Sequence, residues 1–181
     1  MLIAVDGTVA FHAADCAWFQ PAALAPRVVD LFRQGLADSG RLWRTFYDWQ
    51  APPTADQFRD VLTRAGALTW FGFDEISRAP MAFFWLDPCG AMARINFALM
   101  PDCTGRRALR VGREVTDLIL EYGYGAGLRA LMGETPAANA PAVKYAKASG
   151  MRLVGVIPGG CWMAESGDFC GRVITCKTLE D

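Results

Sequence analysis

The chain has 181 residues, of which 52% are hydrophobic and 20% charged, with a formal net charge of −1. That size and apolar content suit a single folded domain over residues 1–181 and exclude a disordered chain. Without a basic surplus nothing draws the chain to nucleic acid or an anionic membrane, and apolar runs such as residues 80–86 fall far short of the roughly 20 residues that span a bilayer.

The first residues, MLIAVDGTVAFHAADC, lack the basic start and long apolar run of a secretory signal, so a cytoplasmic protein is expected. The six cysteines (Cys16, Cys89, Cys103, Cys161, Cys170 and Cys176) form no CxxC pair, and His12 is the single histidine. Zinc-type spacing is absent, so no metal is expected. In a reducing compartment these thiols read as small core residues rather than bridges.

Residues 2–13 carry two strand-like stretches, LIAVDG and TVAFHA. In 26–38, Val28, Val29, Leu31, Phe32 and Leu36 fall at helical spacing behind Pro26. The Pro-bearing segment 50–57 reads as a loop within one domain. Its end, TADQ, matches a capping box, with Gln57 three residues after Thr54. Phe58, Val61, Leu62 and Ala65 continue as a helix that Gly66 should stop. Three strands rich in aromatic and large apolar residues follow at 68–76, 81–87 and 92–100, joined by turns short enough for an antiparallel meander. In the third, Ala93, Ile95, Phe97 and Leu99 share one face, and Arg94, Asn96 and Ala98 share the other.

From 106 to 122 the period changes to that of a helix. Ala108, Val111, Gly112, Val115, Leu118, Ile119 and Tyr122 make the apolar stripe, opposite Arg106, Arg110, Arg113 and Asp117. Glycine-rich 123–127 ends it. A strand at 128–135, a helix at 139–148 and a strand at 151–158 complete a strand-helix-strand run, and a last hairpin joins 161–164 to 171–178. The order β-α-α-β-β-β-α-β-α-β-β predicts an α/β protein with a mixed sheet.

The stretch NAPAVKYAKASGMRLVG, 139–155, carries the chemistry-bearing signal. Asn139 can cap the helix with Pro141 in its first turn, Ala142 and Val143 follow, and Gly150 can end it in a left-handed conformation before Met151. This pattern, with the order of elements, resembles the GNAT superfamily of acyl-CoA-dependent N-acetyltransferases, with Met151 where the family often has Phe. The likeness covers residues 60–160 well and the first 50 only in order. The ending, 156–178, also resembles small GNAT-like proteins of phage and prophage genomes.

The resemblance implies a GNAT fold, in which the meander is followed by β-α-β-α-β and strands 92–100 and 128–135 splay apart to admit acetyl-CoA. It places the pantetheine along the backbone of Phe97, Ala98 and Leu99. The pyrophosphate would sit on the loop and helix start from Asp102 to Ala108, where unpaired amides and the helix dipole face the anion. Thr104, Gly105, Arg106, Arg107, Ala108 and Leu109 are the loop candidates there, with Asn139 beside the cofactor. The family's second close glycine is missing, and Arg106 and Arg107 add charge. The family's tyrosine acid would fall on Ala146, counting from Asn139. Tyr145, about 100° around the helix, is the candidate acid, with packing as its competing role. Glu134 and Glu75 are candidate bases for the amine, with ordinary surface or capping roles as the alternative.

The implied reaction moves an acetyl group to a primary amine, on a small molecule or a protein, bound near Glu75, Asn96 and Glu134. A catalytically degenerate module that binds acyl-CoA or a protein partner is the alternative, as is a structural part of a phage-derived assembly. Neither the acceptor nor the oligomeric state is legible, though a homodimer is compatible. GYGAG follows a helix rather than a strand, so it is no dinucleotide fingerprint, and no GxxxxGK[ST] occurs. A Cys–His nucleophile rests on residue type alone. The aromatic runs WFGF and FFW suit a core better than base stacking.

Overall fold

Residues 68–99 are aromatic and aliphatic on both faces, which fits a strand buried between two helical layers. In the computed structural model, which describes residues 2–5, 8–20, 24, 26–64 and 68–180, these residues form the centre of a nine-stranded sheet. The meander is β4 (Leu68–Asp74), β5 (Pro80–Cys89) and β6 (Met92–Leu99), paired antiparallel as expected. Before it lie β1 (Leu2–Val5), β2 (Thr8–Ala13) and β3 (Cys16–Phe19), and after it β7 (Ala130–Pro136), β8 (Arg152–Met163) and β9 (Asp168–Thr178). The strand order is β1-β2-β3-β4-β5-β6-β7-β9-β8.

One face carries α1 (Pro26–Asp38), α2 (Leu42–Thr45) and α3 (Ala55–Thr63); the other carries α4 (Gly105–Tyr124) and α5 (Ala140–Ala148). The alternation in β6 holds: Ala93 and Ile95 pack towards α4, and Ala98 towards the α1–α3 side. On that side Phe32 stands edge-on to Phe71 and Phe83, with ring centroids 4.8 and 5.9 Å away. Under α4, Phe84 is fully buried among Trp18, Trp70 and Phe97.

Local signals set several ends. Thr54 and Gln57 form the capping box of α3 in both directions. Its expected stop at Gly66, with Ala65, lies outside the described residues. The stripe of α4 buries Ala108, Val111, Gly112, Val115 and Ile119, but Leu120 is buried where Tyr122 was expected and Tyr122 is half-exposed. Leu31 in α1 likewise faces solvent while Val29, Phe32 and Leu36 are buried. In α5 the Asn139 side chain accepts from the Ala142 amide. Gly150 stands at φ +97°, with Met151 and Gly150 amides bonded to the Ala146 and Lys147 carbonyls. That is a Schellman stop, for which glycine is suited.

Three elements differ from expectation. β3 and α2 are additional, each only four residues long and too short to show a period. The strands expected at 151–158 and 161–164 are one strand, β8, whose register with β9 shifts between Ile157 and Cys161. Pro158 lies in that irregularity, and β8 is an edge strand, where a missing amide donor is tolerated. Of the cysteines, Cys16, Cys103 and Cys161 are buried, Cys89 is exposed, and none is bridged. Among the described residues no helix is long and apolar enough to cross a membrane.

Candidate active site

β6 and β7 begin side by side and then part. Their parallel ladder holds only Met92 with Ala130, Ala93 with Leu131 and Arg94 with Met132. Beyond it each strand stays paired on its other edge, β6 to β5 as far as Leu99 and β7 to β9 as far as Pro136. Neither strand can swing to close the gap without breaking a ladder, so the wedge is built into the sheet. A cleft of ≈ 530 Å3 opens there. The edges of Ile95–Leu99 and Gly133–Pro136 that face it offer main-chain groups to an extended ligand.

The mouth of the wedge on the α4 side is the start of α4. Thr104 is its N-cap in an extended conformation and makes no side-chain cap, so the first-turn amides have no side-chain partner from it. Gly105 has φ +58°, a conformation that favours glycine. A Cβ there would meet nothing within 4 Å, so backbone conformation rather than space calls for glycine. Thr104, Gly105 and Ala108 line the cleft, as do Phe97, Ala98 and Leu99.

Arg106, Arg107 and Leu109 do not line it, so the guanidinium groups expected beside the cofactor lie outside the cleft. Arg107 is turned the other way, ion-paired to Asp74 at the end of β4. Asp74 also accepts from the Ser77 amide and hydroxyl at 2.5 and 2.8 Å, so this corner docks the first turn of α4 on the meander. Arg106 is exposed and makes no ion pair among the described residues. Leu109 is on the outer side of α4.

The Ser77 amide, the Arg107 guanidinium and the Ser77 hydroxyl hold the Asp74 carboxyl well below the usual carboxylate range. A depressed folded value means that its contribution to stability is complete above the unfolded value near 3.9 and is lost as pH falls towards the folded one. Melting curves between about pH 2.5 and 5 should therefore fall more steeply for the wild type than for Asp74→Asn; parallel acid limbs would show that this carboxylate does not carry the acid sensitivity.

Asn139, Tyr145 and Glu134 also line the cleft. The Tyr145 hydroxyl donates to the Ala108 carbonyl at 3.1 Å, and its ring lies 6.0 Å from that of Phe97. Gly112 permits this approach of α5 to α4, since a Cβ there would sit 2.2 Å from the Tyr145 hydroxyl oxygen. Burial pushes the phenol pKa up, so it stays protonated over the range in which proteins fold. Ala146, at the position where a tyrosine acid was expected, has no group to give.

Glu134 points to the opposite side of the sheet. Its Oε2 accepts from Arg172 at 2.8 Å and lies 3.7 Å from Arg94. Glu75 is not part of this group, contrary to expectation. It follows β4 in a turn, two strands away from β6, and pairs with His12 beside Arg106 and Arg107. The strand expected to reach Ile76 ends at Asp74, whose carboxylate caps the turn.

The sequence reading missed residues on that α1–α3 side of the wedge. Arg41 at the N-cap of α2, Arg44 within it and Tyr47 after it line the cleft with Trp85 from β5. Burial raises the Tyr47 phenol, aided by nearby Cys161 and Asp48. The available signal was RLWRTFYDW, where arginines three apart alternate with aromatics in a segment too short to read as a helix.

No protein-family model matches the chain, and no curated protein matches it either. Solved structures do. A GNAT-family acetyltransferase from Bacillus anthracis superposes with TM-score 0.73 at 12% identity, over 95% of this chain and 99% of that one. An acetyltransferase from Salmonella typhimurium that modifies the N-terminal serine of ribosomal protein L7/L12 gives 0.71 at 13%, over 98% and 99%. The microcin C7 self-immunity acetyltransferase MccE, solved with acetyl-CoA and AMP, gives 0.67 at 15%, over 91% and 92%. The splayed parallel pair, the uncapped helix at its mouth and these superpositions together establish that the chain has the GNAT acetyltransferase fold.

Proposed function

We propose that the chain, acting as one domain, transfers an acetyl group from acetyl-CoA to a primary amine. The observation that carries this is the wedge closing at Arg94–Met132, with an uncapped helix start at its mouth. Acetyl-CoA would supply an activated thioester. The free amides at Gly105 and beyond suit its pyrophosphate, and the unpaired edge of Ile95–Leu99 suits its pantetheine arm. The acceptor amine would enter from the opposite side, where Glu134 is the carboxylate lining the cleft. Its role is to receive the ammonium and take a proton, directly or through water, so that nitrogen can attack. As the C–S bond breaks, CoA leaves as a thiolate, and Tyr145, whose hydroxyl donates to the Ala108 carbonyl at rest, is the lining group with a proton to give it. Holding both reactants in the wedge supplies a large part of the rate.

That Ala146 stands where an acid would be, and that the Tyr145 hydroxyl is already committed, favours a second reading, a module that binds acyl-CoA without turnover. Two measurements decide. Acetyl-CoA at about 100 times its Kd should stabilise the fold by about 2.7 kcal/mol, and thiol should be released when amines are added. A raised melting midpoint with no thiol release from any amine selects the binding module; an unmoved midpoint overturns both readings.

A further inference from the structure

The α1–α3 side of the wedge carries more positive charge than its own carboxylates neutralise. A line of ion pairs crosses it: Arg64 to Asp87, Asp87 to Arg94 at 2.9 Å, Arg94 to Glu134 at 3.7 Å, Glu134 to Arg172 at 2.8 Å and Arg172 to Asp48 at 2.8 Å. Each carboxylate in this line is ion-paired, Glu134 through Oε2 alone, and Asn96 also donates to Asp87 at 3.0 Å. Of that line only Glu134 lines the cleft, and against its one carboxylate stand two arginines, Arg41 just before α2 and Arg44 within it. Arg41 donates to the Leu99 and Met100 carbonyls, tying α2 to the end of β6. Arg44 is exposed and makes no ion pair or hydrogen bond among the described residues. The chain as a whole has a net charge of −1, so this surplus is local.

We propose that the acceptor is an amine bearing an anionic group, a carboxylate above all, and that Arg44 is the residue that recognises the anion. This rests on the acetyl-transfer reading for its chemistry and on the charge balance of the cleft for its specificity. A guanidinium stays charged at any working pH, and its planar fork fits a carboxylate with two parallel hydrogen bonds. In a cleft with low-dielectric walls such as Trp85, an unneutralised cation concentrates anionic ligands and orients them as they enter. Glu134 then takes the ammonium end and Arg44 the anionic end, which fixes the order in which a two-ended acceptor lies across the wedge. The start of α4, on the other side, suits the cofactor's pyrophosphate, which leaves Arg44 to the acceptor.

The carboxylate could belong to a free amino acid or to an acidic residue beside a peptide's amino terminus. The test uses matched pairs: alanine against alaninamide, glycine against glycinamide, and Ser-Asp-Ala against Ser-Asn-Ala amide peptides. Binding of each to the CoA-saturated full chain is read by calorimetry, and turnover by thiol release. The carboxylate member should be preferred by about tenfold, and Arg44→Ala should collapse that ratio towards one, the size of one lost charge-assisted hydrogen bond. Arg44→Lys should restore part of it. Preference confined to the amino acids or to the peptides identifies the source. Equal binding of both members, or an Arg44→Ala effect on the acetyl-CoA KM in place of the ratio, overturns the proposal. Preferential binding without thiol release supports the anion site and counts against acetyl transfer alone.

Discussion

Replacing Gly105 with Asp should abolish stabilisation by CoA while the free protein melts within a few degrees of the wild type. The backbone at Gly105 is left-handed, so any side chain costs about 1–2 kcal/mol. Space is not limiting, since a Cβ there meets no atom within 4 Å. The decisive effect is charge. A carboxylate on the first residue of α4 occupies the amides and the positive end of the helix, and it repels the pyrophosphate. CoA affinity should fall at least about 100-fold, which cuts the ~2.7 kcal/mol expected at 100 times the wild-type Kd to about 0.4 kcal/mol or less. In a chain of this size the wild-type figure is a midpoint shift on the order of 5–10 °C, largely lost in the variant. Gly105→Asn, which tolerates the same backbone without the charge, should retain much of the response. A full CoA response in Gly105→Asp would mean that the anion binds elsewhere.

The largest stability loss is expected at Phe84. Its ring is fully buried, 5.0 Å from Trp70, 5.3 Å from Trp18 and 6.1 Å from Phe97, the last nearly parallel. Phe84→Ala removes apolar area and leaves a cavity that three rings can only partly fill, at a cost of about 3–5 kcal/mol. Chemical unfolding should show a lower midpoint with an unchanged slope. The substitution should also weaken CoA binding, because Phe84 backs Phe97 and Phe97 backs Tyr145 on the cofactor side of the cleft. A loss below about 1 kcal/mol would contradict the packing described under α4.

Much of the framework could be read locally. The Thr54–Gln57 box, the stripe of α4, the alternation of β6 and the Gly150 stop each depend on residues within a few positions of one another. Periodicity and caps are properties of such short windows, so they survive without knowledge of the rest of the chain. The short elements β3 and α2 carry too few residues for a period, and with α2 went the two arginines that reach the wedge.

The amino-acid sequence by itself determined the longer helices and strands, which face of β6 meets α4, and where α4 begins. The tertiary structure alone decided that β9 enters between β7 and β8 and so holds the wedge open, and that Glu75 is carried off to His12 while Glu134 stays. It also decided which arginine faces what. Arg107 turns from the cleft to Asp74, 33 residues away, and Arg172 reaches Asp48 across 124. Such choices depend on which strands become neighbours, and a charged side chain then settles on whichever opposite charge the folded chain brings nearest, a distance that no local pattern encodes.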